Sequence, residues 1–118
     1  MKFLSVDDSS TMRKIISLAL KGAGHTVEEA ENGKQALEVL KTAKVDCILL
    51  DINMPEMNGI EFLKERKNRP DIAGVPVFVL TTQDEESLKT EAMGLGAKGF
   101  IVKPFQKEAL LAAISSGI

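Results

Sequence analysis

Five short apolar runs rich in β-branched residues alternate along this chain with segments whose apolar residues recur at helical spacing. The runs are Phe3 to Val6, Thr26 to Ala30, Cys47 to Leu50, Val77 to Leu80 and Gly99 to Val102. Between the first two, Met12, Ile15, Ile16 and Ala19 fall at i, i+3, i+4 and i+7, which predicts a helix opened by Ser9 or Ser10 and closed by Gly22. A second helix is expected after Asn32-Gly33, with Ala36, Leu37 and Leu40 inward, and a third after Asn58-Gly59, with Ile60 and Leu63 inward, ending before Pro70. Asp84 suits the N-cap of a fourth, with Glu85 and Glu86 set favourably against the helix dipole and Gly94 as the stop. A fifth begins near Gln106, with Leu110, Ala113 and Ile114 inward.

Strict strand–helix alternation requires a parallel sheet covered on both faces. Right-handed crossovers then give an open, doubly wound α/β domain, and five strands of this length suit the flavodoxin-like order 2-1-3-4-5. The chain has 118 residues, enough for one hydrophobic core, and no repeat, linker or low-complexity stretch suggests a second domain. A single domain over residues 1–118, without an effector domain, is the expectation.

Composition narrows the function. A single cysteine, Cys47, rules out an intramolecular disulfide and suits a reducing, cytoplasmic setting. No run is long enough for a signal peptide or a membrane span. Net charge is −2 with both signs interspersed, and with five Phe but no Tyr or Trp there is little to stack bases or grip a phosphate backbone. Neither nucleic acid nor membrane is expected as a partner, and a monomer is expected.

In an open parallel sheet, sites form beyond the carboxyl ends of the strands, where the strand order reverses. Here the first strand runs into Asp7-Asp8, the third into Asp51, the fourth into Thr81-Thr82 and the fifth into Lys103. In the expected order these four strands are neighbours, whereas the second strand, outside the group, ends in nothing comparable. Taken singly, an Asp at a strand end is a turn former and a Lys is a solvated charge; four such residues at adjacent strand ends make a site. Crowded carboxylates repel, so a positive partner is needed, either Lys103 or a divalent cation. Hard oxygen donors without His or Cys favour Mg²⁺, with Mn²⁺ as the alternative. A carboxylate left free to react with phosphorus gives an acyl phosphate, and a metal, an ammonium and a hydroxyl can together neutralise the transferring group.

Four stretches carry a family resemblance: Val6-Asp7-Asp8-Ser9; Leu50-Asp51-Ile52-Asn53-Met54-Pro55-Glu56-Met57-Asn58-Gly59; Leu80-Thr81-Thr82; and Gly96-Ala97-Lys98-Gly99-Phe100-Ile101-Val102-Lys103-Pro104-Phe105. In this order and spacing the chain resembles a response-regulator receiver domain over essentially its whole length, and is similar to the stand-alone chemotaxis regulators. The resemblance implies that Asp51 accepts a phosphoryl group from a phosphohistidine on a sensor kinase. It implies that Asp8 and Asp51 ligate Mg²⁺ directly, Asp7 through water and Asn53 through its carbonyl. It further implies that Thr81 and Lys103 bind phosphate oxygens, that Lys103–Pro104 is a candidate cis peptide, and that Phe100 moves with Thr81 as a switch pair. Thr82, bulkier than the small residue common after the switch hydroxyl, and the uncharged Asn53 and Gln83 are candidates for tuning phosphate lifetime. The fourth helix, fifth strand and fifth helix would form the output surface.

The leading functional expectation is a two-component response regulator, not an enzyme, acting on a target such as the flagellar motor switch protein, with a phosphatase as a further partner. A relay or adaptor receiver passing phosphate to a histidine phosphotransfer protein, or a phosphate sink, is the alternative. An aspartyl-phosphate hydrolase is the remote third, since such enzymes carry the nucleophile on the first strand with a second acid two residues on. His25 precedes the second strand, away from the acidic cluster, and reads as a surface residue.

Overall fold

A computed structural model describes residues 1–52, 54, 57–103 and 105–117, the side chain of Gln83 excepted. The elements are β1 (Lys2–Val6), α1 (Ser10–Gly22), β2 (Thr26–Ala30), α2 (Gly33–Thr42), β3 (Cys47–Asp51), α3 (Gly59–Lys67), β4 (Val77–Thr81), a 3₁₀ turn (Gln83–Glu85), α4 (Glu86–Gly94), β5 (Gly99–Val102) and α5 (Lys107–Gly117). The sheet is wholly parallel, in the order β2-β1-β3-β4-β5. That is the order expected from five alternating units.

Because side chains alternate across a strand, the sheet divides the core in two. Phe3, Cys47, Leu49, Phe78, Leu80 and Ile101 pack against Ile16 and Leu20 of α1 and Leu110 and Ile114 of α5. The intervening residues, among them Leu4, Val6, Leu50 and Val79, pack against Ala36 of α2, Ile60 and Leu63 of α3 and Ala92 of α4. Every residue of β3 and β4 is buried, which accounts for their unbroken apolar runs. Burial pushes the Cys47 thiol up to about 12, so it is a core residue held as the neutral thiol.

Short polar residues set the helix starts. Ser9 accepts the Met12 N–H, Asn32 accepts that of Gln35, and Asn58 forms a reciprocal capping box with Glu61. Each cap satisfies donors the first turn cannot, and is worth about 1 kcal/mol. Two expectations need correcting. Ile15 is not inward but half exposed, and Leu20 takes the buried place at the end of the α1 stripe. The fourth helix does not start from an Asp84 cap. A 3₁₀ turn comes first, because the Glu85 carboxylate accepts the Thr82 N–H and winds the chain tightly before α4 begins at Glu86.

The approach of α3 to β3 bears directly on the strand end. A Cβ on Gly59 would lie 2.8 Å from both the Asp51 carbonyl oxygen and the Ile52 Cα, and the Gly59 N–H donates to the Ile52 carbonyl. Only a glycine lets the helix start this close to the backbone carrying Asp51. Gly59→Ala should therefore cost about 1–3 kcal/mol in chemical denaturation and disturb the Asp51 amide resonance; a variant as stable as the parent would show that the backbone yields freely here.

Candidate functional site

The sheet register gathers the reactive residues. Val6 pairs with Leu50, Asp51 with Leu80, and Thr81 with Val102, so the carboxyl ends of β1, β3, β4 and β5 lie side by side. The Asp7 N–H continues the ladder to the Ala30 carbonyl, and that of Lys103 continues it to Thr81. Asp7, Asp51 and Lys103 each follow by two a residue that faces α1 and α5, so all three leave the sheet on that side. Thr81 follows Val77 and Val79 and leaves on the α4 side.

Asp7 and Asp51 are almost completely buried, while the neighbouring Asp8 is exposed. One carboxylate oxygen from each of the three lies within 4.8 Å of the others. The Lys103 ammonium stands 3.2 Å from Asp7 Oδ2 and 3.3 Å from Asp51 Oδ1, bridging the two buried acids. Burial alone would lower the Lys103 pKa; the charges of Asp51 and Asp7 outweigh it and hold the group above its ordinary value. Asp7 Oδ1 accepts the Ser9 N–H, and the Arg13 guanidinium donates to the Asp7 carbonyl oxygen while pairing with Glu29. The donor set fits a hard divalent cation: three clustered carboxylate oxygens, one open to solvent, and no thiolate or imidazole.

The other expected site residues are placed as follows. Thr81 is buried, with its hydroxyl 3.1 Å from the Thr82 carbonyl oxygen and 3.3 Å from Glu85 Oε1. Thr82 is exposed. Phe100 is 42% exposed on the α4 side of β5, with the Lys89 ammonium 4.3 Å from its ring centroid. Asn53, the side chain of Gln83 and the Lys103–Pro104 peptide lie outside the described residues. Arg13 and Glu85 escape a reading of the sequence: Arg13 sits six residues beyond the aspartate it supports, and Glu85 reads as one of several acids at a helix start.

Residues 3–115 match the family model described as the response regulator receiver domain. The chain belongs to the response regulator receiver family. It is 41% identical over 115 residues to the chemotaxis protein CheY of Bacillus subtilis, covering 97% of this chain and 94% of that one. A CheY homolog of Campylobacter jejuni is 41% identical over 112 residues, covering 93% and 86%. Among solved structures, the chemotaxis response regulator CheY4 of Vibrio cholerae superimposes with a TM-score of 0.92 at 38% identity, covering 99% and 98% of the two chains. A receiver is a signalling protein rather than an enzyme, and its acidic cluster is consistent with a Mg²⁺ site. Membership also implies a histidine kinase as partner. Among the described residues no helix is long and apolar enough to cross a membrane.

If Lys103 is the counter-charge for two buried carboxylates, removing it leaves them to repel one another. Lys103→Met should cost about 3–5 kcal/mol in urea unfolding without divalent metal. A group with a raised pKa contributes fully below its unfolded value of 10.5 and loses that contribution as pH rises through its higher folded value. The gap between parent and variant should thus be constant through neutral pH and close only in strong alkali. An unchanged urea midpoint would count against the bridge.

Proposed function

We propose that the chain is a phosphoacceptor switch in two-component signalling, with Asp51 as the phosphorylated residue and the flagellar motor switch as its target. The observation that carries this reading is the Lys103 ammonium held against Asp51 and Asp7 at the end of the sheet. A carboxylate oxygen of Asp51 attacks the phosphorus of a phosphohistidine; the new P–O bond forms as the P–N bond breaks, and the electron pair leaves with the imidazole. Asp8 and Asp51, with Asp7 behind them and the carbonyl of Asn53, would hold Mg²⁺ (or Mn²⁺), which when bound supplies positive charge to the phosphoryl oxygens. Lys103 then binds one oxygen of the new acyl phosphate and Thr81 another. Thr82, Asn53 and Gln83 remain the candidates for tuning its lifetime.

The chemotaxis assignment draws on the relatives, whose names are those of chemotaxis proteins. Exposed apolar residues on the far side of the sheet suit a protein target: Met93 on α4, and Phe100 and Val102 on β5. Phe100 stands outward in this structure, and drawing Thr81 toward a phosphate opens the space into which the ring turns.

A second reading, a relay receiver exchanging phosphate with a histidine phosphotransfer protein, is favoured by a separate apolar hollow. Ile15 and Leu18 of α1 meet Phe105 and Lys107 there, and Leu18 is 64% exposed. Phe105 lies two residues beyond Lys103, so a helix docked on this hollow could present its histidine to Asp51.

Acetyl phosphate with Mg²⁺ should add one phosphoryl group by mass, and Asp51→Asn should abolish it; labelling that survives would place the acceptor elsewhere. For the second reading, Leu18→Asp should slow exchange with a phosphorylated histidine phosphotransfer domain about tenfold or more, as expected for a buried interface anchor. Exchange that is slowed by Phe100→Asp but not by Leu18→Asp would remove the hollow from consideration.

A further inference from the structure

Glu85 makes two contacts that the proposed phosphoryl chemistry does not use. Its Oε1 accepts the Thr82 N–H at 2.8 Å and stands 3.3 Å from the Thr81 hydroxyl. Thr81 is buried and leaves β4 on the α4 side, the opposite pleat direction from Asp51 and Lys103. A hydroxyl has one proton to donate. In this arrangement its acceptors are the Thr82 carbonyl and the Glu85 carboxylate, and both lie on the α4 side. To reach a phosphoryl oxygen on Asp51, the hydroxyl must leave both.

We propose that Glu85 is a positioning residue that holds the switch hydroxyl of Thr81 away from Asp51 and so sets how readily the phosphorylated conformation is reached. The carboxylate is anchored independently of Thr81, because the shorter bond from the Thr82 N–H fixes it at the start of the 3₁₀ turn. It is therefore in place as a competitor for the Thr81 proton whether or not phosphate is present. A charged acceptor makes a stronger hydrogen bond than a neutral one, so the competition is between one anion and another. One turn further on, Lys89 pairs with Glu86 at 3.1 Å and covers the Phe100 ring. The segment that restrains Thr81 thus continues into the helix that restrains Phe100.

This inference rests on the assignment of Asp51 as acceptor, and the test separates the two. Beryllofluoride, a stable phosphoryl mimic, is titrated with Mg²⁺ into the parent chain, Glu85→Ala, Glu85→Gln, Thr81→Val and the double variant Glu85→Ala/Thr81→Val, with binding read by NMR and folding checked by thermal melting. Failure of the folded parent to bind at Asp51 would sink the acceptor assignment itself. If the parent binds, Glu85→Ala should bind beryllofluoride about two- to tenfold more tightly, the range of a net hydrogen bond, with its Mg²⁺ affinity unchanged. Glu85→Gln, which keeps an acceptor but not the charge, should fall between parent and Glu85→Ala. In the Thr81→Val background the Glu85→Ala effect should vanish, because the competing hydroxyl is gone. Equal affinities for parent and Glu85→Ala, or a gain that persists without the Thr81 hydroxyl, would overturn the proposal.

Discussion

Two buried carboxylates share one ammonium at the end of this sheet, and much of the molecule's chemistry follows from that arrangement. Asp7, Asp8 and Asp51 carry three negative charges and Lys103 one positive charge, so the cluster is short of positive charge by two. At an effective dielectric of about 20, unit charges some 4 Å apart interact by roughly 4 kcal/mol, so this imbalance is costly to fold around. Lys103 makes the buried pair tolerable without removing the deficit, which a divalent cation at the cluster would close. If Asp51 is the acceptor proposed above, phosphorylation exchanges one carboxylate charge for a larger one beside the Lys103 ammonium. On that reading the same side chain serves both the resting fold and the product.

Backbone register explains why the charges meet. Parallel pairing sets the ends of β1, β3, β4 and β5 level, and two-residue periodicity sends Asp7, Asp51 and Lys103 off the same side. Gly59 allows α3 to begin against the Asp51 carbonyl, so the strand end is braced from below. Ser9 does double service: its side chain caps α1, and its backbone N–H fixes one oxygen of Asp7. The other oxygen faces Lys103. The aspartate is thereby oriented by groups on two elements, and its rotamer freedom is spent before any ligand arrives.

Much of this was legible in the sequence, for identifiable reasons. Buried parallel strands need continuous apolar runs, and caps need short polar side chains, so β3, β4 and the starts of α1, α2 and α3 could be read directly. The convergence of Asp7, Asp8, Asp51 and Lys103 followed once the strand order was inferred. What could not be read depends on tertiary direction. Ile15 continues the α1 apolar stripe on paper yet sits beside the α5 edge with Phe105 as neighbour. Asp84 has the side chain of an N-cap, but the sequence carries no sign that Glu85 bonds back to the Thr82 N–H and starts a 3₁₀ turn first. Thr81 was correctly placed at the strand end, but the side to which its hydroxyl turns is decided by that same carboxylate.

The connection from Thr81 to Phe100 is short and made of individually weak contacts, and this suits a switch. Thr81 and Glu85 are linked through a hydrogen bond worth about 1 kcal/mol net, and a cation over an exposed ring is worth about 0.5–1 kcal/mol. On the proposed reading, a phosphoryl group displaces such a resting state by offering Thr81 and Lys103 more charge and more acceptor oxygens than the single Glu85 carboxylate does. Burying the inner face of α4 sets the opposite limit. α4 buries Ala92 and packs Leu88 partly against the core, whereas α3 buries Ile60, Phe62 and Leu63, so α4 places fewer side chains in the core than α3 does. A ligand can shift an equilibrium only by its differential affinity for the two states. Modest restraints around Thr81 and an α4 with few core side chains would keep the required difference small if Asp51 is the acceptor proposed above.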